Sequence, residues 1–281
     1  MQTTGVDINL SDGDFFKLRK IIHDSTGITI GDERKSMLVS RLRSRLRETE
    51  EPSFKSYISR VSSDRNELQQ LINRVTTNET YCYRTPRVWS YFRETFLPTL
   101  RAERLKGPMR VWSGAASTGE EGHTIGVVLE HVRQTRPGFD YRVLGTDVSS
   151  RVLEIADEGL YRGKSINRFQ KEDPELFGAH MKGNDVDGYR VAAEIKKRLK
   201  FKRHNLLDPL STEGPFHTVF LRNVLIYFTQ EDQEKILSNV HDRMCSDSIL
   251  IIGESETLKG MRTRFEPVAP MIYQPLPKGG G

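Results

Sequence analysis

Residue types that could do chemistry together gather in a few short stretches. Trp112-Ser113-Gly114-Ala115-Ala116-Ser117-Thr118-Gly119-Glu120-Glu121 places small residues, then two acids, where an apolar run gives way to a helical pattern. Small side chains let a ligand approach the backbone at a strand-to-helix turn, and Gly114-x4-Gly119 has the spacing of a phosphate loop. A phosphate loop would continue with lysine and then serine or threonine. Glu120 and Glu121 stand there instead; they would repel a phosphate and favour a cation. Asp147 closes the next apolar run, where an acid accepts hydrogen bonds from a ribose diol. The pair therefore fits a nucleoside that carries positive charge and no phosphate. Arg222-Asn223 follows a third apolar run and adds a cation and an amide. The histidines form no nucleophile-base pattern, and His123, at a helix start beside Glu121, reads as structural. Cys82 and Cys245 lie far apart, with no CxxC and no His/Cys cluster, so neither a disulfide framework nor a metal site is expected.

These stretches need a frame to hold them. At 281 residues the chain has room for roughly two domains of ordinary size. The first ninety or so residues read as helices. Phe15, Leu18 and Ile22 follow Ser11 and Asp14 at helical spacing; Leu38, Leu42 and Leu46 recur every four; Phe54, Tyr57, Ile58 and Val61 follow Pro52-Ser53. Leu68, Leu71, Ile72 and Val75 come after Asp64 and Glu67, a capping-box pattern. Beyond Pro108 the rhythm becomes strand and helix: strands at 109–115, 141–146, 216–221 and 248–253, with helices at 124–132, 149–159 and 230–243. Ser149 is the expected cap of the second of these. Alternation of this kind predicts an α/β fold with a mostly parallel sheet, whose strand ends would present Gly114, Asp147 and Asn223 to a ligand. Residues 164–203 break the rhythm around Gly183-Asn184-Asp185-Val186-Asp187-Gly188, which predicts a small antiparallel insertion. The expected domains are a helical one with its linker at 1–90 and an α/β one at 91–281. Gly279-Gly280-Gly281 reads as a disordered tail.

Apolar residues at 36% and charged residues at 29% exclude wholesale disorder and a fibrous coil. The longest apolar run, 249–252, is far too short to span a bilayer, and residues 1–5 lack the features of a signal peptide, so a soluble cytoplasmic protein without membrane insertion is expected. Lys+Arg 43 against Asp+Glu 38 leaves only +5, but the cations are unevenly spread. Residues 34–47 hold Arg34, Lys35, Arg41, Arg43, Arg45 and Arg47 with no acid. At about 100° per residue, Arg34, Arg41 and Arg45 border the Leu38/Leu42/Leu46 face, whereas Arg43 and Arg47 point away from it. The first three form a stripe along which acidic helices could lie. A second basic run, 196–203, alternates apolar and basic residues in its latter half and reads as a strand with one solvated face.

A phosphate-free nucleoside with a cationic half matches S-adenosylmethionine better than NAD or ATP. Thr77-Asn78-Glu79-Thr80-Tyr81-Cys82-Tyr83-Arg84, the segment 110–121, Gly145-Thr146-Asp147-Val148-Ser149 and Phe220-Leu221-Arg222-Asn223-Val224-Leu225-Ile226-Tyr227-Phe228 together resemble the signature segments of the CheR family of chemotaxis receptor methyltransferases. The resemblance runs in consistent order over about residues 10–275. It implies a Rossmann-like S-adenosylmethionine-dependent methyltransferase sheet with an N-terminal all-α domain and a small antiparallel β insertion. It also implies transfer of a methyl group to glutamate side chains of receptor cytoplasmic domains, leaving S-adenosylhomocysteine. By position, Asn78, Thr80 and Arg84 would reach the cofactor from the linker. Glu121 would meet its amino-acid or sulfonium end, Asp147 its ribose and Asn205-Leu206 its adenine, while Arg222, Asn223 and Tyr227 would close the transfer site. Arg84 and Tyr227 are the groups expected to aim the carboxylate, and Arg34, Arg41 and Arg45 those expected to hold the substrate, with the protein acting as a monomer and binding no nucleic acid. Cys82-Tyr83 replaces the family's Phe-Phe, Gly122-His123-Thr124-Ile125-Gly126 replaces Pro-Tyr-Ser-Ile-Ala, and the 183–188 loop is short for docking a receptor's C-terminal peptide. Two alternatives are a nucleic-acid methyltransferase, although Asn-Pro-Pro-Tyr is absent at 222–225, and an adaptor that binds the cofactor without turnover.

Overall fold

The computed structural model describes residues 9–100, 105, 107–211 and 213–277. The segment 1–5 and the glycine tail 279–281, on which expectations were placed above, lie outside the described residues. Contacts divide the chain into two compact units, Met1–Thr77 with Tyr227–Thr229, and Asn78–Ile226 with Gln230–Gly281.

The first unit is helical: α1 (Asp12–Thr26), a 3-10 turn (Asp32–Arg34), α2 (Lys35–Glu48), α3 (Phe54–Ser63) and α4 (Arg65–Val75). Ser11 caps α1 by accepting from the Asp14 N–H at 3.1 Å, and Gly27, at φ 77°, ends it. Leu18, Ile22, Leu38, Leu42 and Leu46 are buried in one core, as their spacing required. The capping box expected at Asp64 is only half present. Asp64 accepts from the Asn66 and Glu67 N–H groups, but the Glu67 carboxylate turns inward to Arg45 and the Tyr57 hydroxyl. The reciprocal box forms at Ser53 and Ser56 instead.

The second unit begins with α5 (Pro86–Ser90), a π-helical stretch (Tyr91–Phe96) and α6 (Leu97–Thr99). It continues through β1 (Met109–Gly114), α7 (Glu120–Thr135), β2 (Tyr141–Asp147), α8 (Ser150–Glu158), α9 (Lys164–Glu172), α10 (Pro174–His180), β3 (Met181–Asn184) and β4 (Gly188–Val191). Then come α11 (Ala193–Lys196), β5 (Leu199–Arg203), β6 (Phe216–Leu221), α12 (Gln230–Asp242), β7 (Met244–Ile252), β8 (Phe265–Ala269) and β9 (Ile272–Pro275). The main sheet has seven strands in the order β5-β2-β1-β6-β7-β9-β8. From β5 to β7 all neighbours are parallel, whereas β9 runs antiparallel to both β7 and β8. The mixed α/β architecture, its all-α companion and the two-stranded antiparallel β3-β4 sheet match the fold expected from sequence.

Some elements differ from expectation for identifiable reasons. β7 starts at Met244, because Cys245, Ser246 and Asp247 pass through a register shift before the apolar run begins. β8 and β9 lack a continuous apolar run, and Pro267 lies within β8, so composition hides them. Helix α8 forms, but Ser149 makes no side-chain cap bond; its N–H is instead taken by the Asp147 carboxylate. Residues 164–180 are helical, with the polar stretch 183–188 turning the β3-β4 hairpin, and the basic strand β5 joins the edge of the main sheet. No helix among the described residues is long and apolar enough to cross a membrane.

Candidate functional site

Parallel strands place their carboxyl ends on one edge, and the loops after β1, β2, β5, β6 and β7 all leave from there. The loop after β1 is built for close approach. Ala115 and Ser117 have φ values of 57° and 50°, and Gly119 follows at 90°. A side chain at Gly119 would start 2.7 Å from Ala156 Cβ. A Cβ at Gly114 would lie 3.0 Å from Leu221 Cδ1 and 3.4 Å from Leu206 Cδ2, so glycine there lets those side chains close up against the strand end. Tyr83, Thr85 and Asn223 also have positive φ, at 59°, 62° and 58°. Strained non-glycine backbone of this kind persists where surroundings over-determine it, and such places are often functional.

The two glutamates at the start of α7 diverge. Glu121 accepts from Ser113 Oγ at 2.7 Å and forms an ion pair with Arg222 Nη1 at 3.1 Å; the two side chains are 13% and 2% exposed. Arg222 Nη2 donates to the Arg84 carbonyl at 2.9 Å, which also accepts from Trp89 Nε1 at 3.0 Å. Glu120 turns the other way, accepting from Thr118 Oγ1 at 2.6 Å and Ser165 Oγ at 3.2 Å, and burial holds its carboxyl above the ordinary value. The cation preference read from the Glu120-Glu121 pair therefore falls to Glu121, already matched with a guanidinium.

Asp147 fastens the loops together. Its carboxylate accepts from the Ser117 N–H and the Ser149 N–H, both at 2.9 Å, while Ser117 Oγ donates to the Asn78 carbonyl at 3.0 Å. Burial pushes the Asp147 carboxyl up against the opposing effect of the N–H donors. The Val148 N–H also bears on it, and of the about four acceptor positions that a carboxylate offers, about one is left for a ligand hydroxyl. Asn205 Oδ1 accepts from the Leu207 N–H at 3.1 Å, and Asn239 holds the Leu206 and Leu207 carbonyls, which fixes the loop after β5. Thr80 is half-buried. The half-buried Arg84 guanidinium lies over the Tyr81 ring at 5.6 Å and reaches the Glu79 carbonyl at 3.4 Å.

Two networks result at this edge: Asp147 with Ser117 and Asn78, and Glu121 with Arg222 and Arg84, while Gly114 lies at the end of the strand between them, next to Leu206. Tyr227 groups with the helical unit, where its carbonyl accepts from the Thr29 N–H at 2.8 Å and Arg34 lies over its ring at 5.9 Å. Arg41 donates to the Val75 and Thr76 carbonyls at the end of α4, and Arg45 is locked to Glu67 at 2.6 Å. Arg43 and Arg47 are exposed, line a groove of about 690 Å³, and have no side-chain partner among the described residues. Sequence reading missed Ser113, Ser117 and Trp89, which orient the acids and Arg222; their small or apolar character gave no chemical signal. It also missed Glu256. A strand-end glycine followed three positions later by an acid was the only cue to it.

Two buried polar atoms here, Thr85 Oγ1 and Arg222 Nε, lack a protein partner among the described residues. With one carboxylate ion-paired to a guanidinium and another held by backbone N–H groups, this set of groups fits a nucleoside carrying an amino-acid end. Comparison with known proteins agrees. Residues 78–273 match the family described as CheR methyltransferase, SAM binding domain, and residues 13–76 match CheR methyltransferase, all-alpha domain. A chemotaxis protein methyltransferase of Borreliella burgdorferi is 31% identical over 278 residues, covering 96% of each chain. One from Escherichia coli is 33% identical over 270 residues, covering 94% of this chain and 91% of that one. Among solved structures, PKMT2 from Rickettsia typhi aligns at 17% identity and a TM-score of 0.37, over 62% of this chain and 26% of that chain. Two adjoining family matches that between them span nearly all described residues, with whole-length relatives behind them, place this chain in the CheR methyltransferase family.

Proposed function

We propose that the chain is a cytoplasmic, monomeric protein-glutamate O-methyltransferase that esterifies glutamates on the signalling domain of chemoreceptors. The observation that carries the reading is the pairing of Glu121 with buried Arg222 at the same sheet edge where Asp147 ends β2. An ion pair offers both signs to an α-amino-acid end, and the second carboxylate serves a ribose hydroxyl. S-adenosylmethionine, when bound, supplies a methyl group on a sulfonium, open to in-line displacement. Glu121 and Arg222 orient the amino-acid end, Asp147 holds the ribose, and Asn205 with Leu206 bounds the adenine. Asn78, Thr80 and Asn223 complete the enclosure around Gly114. Arg84 aims the incoming carboxylate, and Tyr227→Phe is the direct check on the part its hydroxyl plays in the same task. A substrate glutamate, with an ordinary pKa near 4.3, is ionised at neutral pH, so alignment rather than proton abstraction is what the protein must provide.

On the helical unit, the cationic surface of α2 receives the acidic receptor helices. Arg34 and Arg41 contribute from the stripe, and Arg45 steadies it through Glu67. The test uses labelled S-adenosylmethionine with a panel of receptor cytoplasmic fragments. Base-labile label on receptor glutamates is the expected result. Base-stable label on RNA, or binding of S-adenosylhomocysteine without any transfer, would overturn it.

A further inference from the structure

We infer that Glu256 is a positioning residue for methyl transfer, fixing through backbone bonds the loop that carries Arg222 and Asn223. The inference rests on the function proposed above and deepens it. Glu256 Oε1 accepts from the Val224 and Leu225 N–H groups, each at 2.8 Å. Its Oε2 accepts from the Asn223 N–H at 2.8 Å and the Gly253 N–H at 2.6 Å. Successive N–H groups that converge on one point form an anion-binding nest, and here the anion is the protein's own. Bonds to an ionised acceptor are the stronger kind, so a single side chain clamps the ends of two neighbouring strands.

The clamp answers a specific need. Asn223 sits at φ 58°, in the left-handed region that asparagine tolerates better than other side chains do, and the clamp bonds its N–H in that conformation. Leu221 pairs with Ile252 across β6 and β7, so the residues that follow, Arg222 and Gly253, leave the sheet side by side. Gly253 packs directly against the clamped loop: a Cβ there would lie 2.8 Å from both Asn223 N and Asn223 Nδ2. Arg222 immediately precedes the clamped residues, and its guanidinium must meet Glu121 at 3.1 Å and the Arg84 carbonyl at 2.9 Å. Small errors in such alignment are costly to a reaction that depends on geometry. Glu256 touches neither partner of the ion pair; it acts by setting where Arg222 begins.

Glu256→Gln is the direct test. An amide keeps one acceptor oxygen and turns its NH2 toward two N–H donors, so at least one pair of clamping bonds is lost. The expected result is a rise of about tenfold or more in KM for S-adenosylmethionine and in Kd for S-adenosylhomocysteine, the scale of a lost charge-assisted bond, with kcat reduced less than KM is raised. Glu256→Asp, which keeps the charge and shortens the reach, carries the same comparison where the glutamine variant does not fold. Glu256→Ala leaves the nest open, and added formate is expected to restore affinity part of the way in that variant and not in Glu256→Gln. A folded Glu256→Gln with unchanged KM and Kd would overturn the inference, as would a loss confined to kcat with no response of Glu256→Ala to formate. Wild-type protein titrated with S-adenosylhomocysteine separates the two levels: no binding there sinks the proposed function itself, whereas normal binding alongside an indifferent Glu256→Gln sinks only the role of Glu256.

Discussion

Asp147 ties Ser117 and Ser149 by their N–H groups, and the function proposed above asks the same carboxylate to serve the ribose. Asp147→Asn keeps the size but turns one oxygen into a donor aimed at a backbone N–H. It is expected to weaken S-adenosylhomocysteine binding about tenfold to a hundredfold, measured by isothermal titration, which is the worth of one or two bonds to a charged acceptor. The pH behaviour follows from burial. The folded-state pKa of Asp147 lies above the ordinary 3.8, so protonation on acidification begins earlier than for a solvated aspartate. Cofactor affinity is therefore expected to decline as pH falls toward that raised value, and Asp147→Asn should flatten the decline. The sign for apo stability is opposite: a raised carboxyl pKa means the folded form binds the proton more tightly, so this residue's contribution to stability increases as pH falls through the same window. At this scale the sequence displayed the charged members of the site, because Glu121, Asp147 and Arg222 sit at predicted strand ends. It did not display which of Glu120 and Glu121 would face Arg222. That choice depends on how α7 is rotated, and it is settled by the nearby Thr118 and Ser113 together with Ser165 and Arg222 from distant parts of the chain.

Helices α2 and α4 show how an element can be read correctly and its side chains misjudged. Spacing gave the Leu38, Leu42 and Leu46 face, and those residues are buried. It could not show that Arg41 would satisfy the carbonyls ending α4, or that Arg45 would meet a glutamate that is 2% exposed, because both contacts span more than twenty residues. Hydrogen bonding to Arg45 holds the Glu67 carboxyl below its ordinary 4.5. Its contribution to stability is accordingly present above that value and lost as pH falls below it. Glu67→Gln is expected to destabilise the helical unit by about 1–3 kcal/mol, the cost of losing the buried half of the Arg45 pairing while Glu48 at 3.1 Å remains as its more exposed partner, and to remove that acid sensitivity. Hydrogen exchange at the α2 and α4 amides, followed from neutral to acidic pH, measures both effects. The strands divided along similar lines. Apolar runs announced β1, β2 and β6, which are enclosed by neighbours, whereas β9 and β8 carry mixed residues and owe their existence to pairing, β9 with β7 and β8 with β9.

For the molecule as a whole, the distribution of charge matters more than its sum. Arg43 and Arg47 have no internal task among the described residues, so they are the α2 cations best able to serve a partner without cost to the fold. Charge reversal at both, Arg43→Glu with Arg47→Glu, is expected to raise KM for receptor fragments about tenfold at low salt, less at high salt, and to leave S-adenosylhomocysteine affinity unchanged. Unaltered receptor kinetics would move docking elsewhere. Finally, an open seven-stranded sheet has two outer margins, and both are guarded. The β5 margin presents Lys200, Lys202 and Arg203 to solvent, and the β8 margin contains Pro267, which has no N–H to offer. A stray strand from another chain meets like charge on one side and an interrupted ladder on the other. Such borders would keep a crowded solution of this enzyme from polymerising edge to edge, and replacing those lysines and Pro267 by threonine should show as light scattering long before it shows as lost activity.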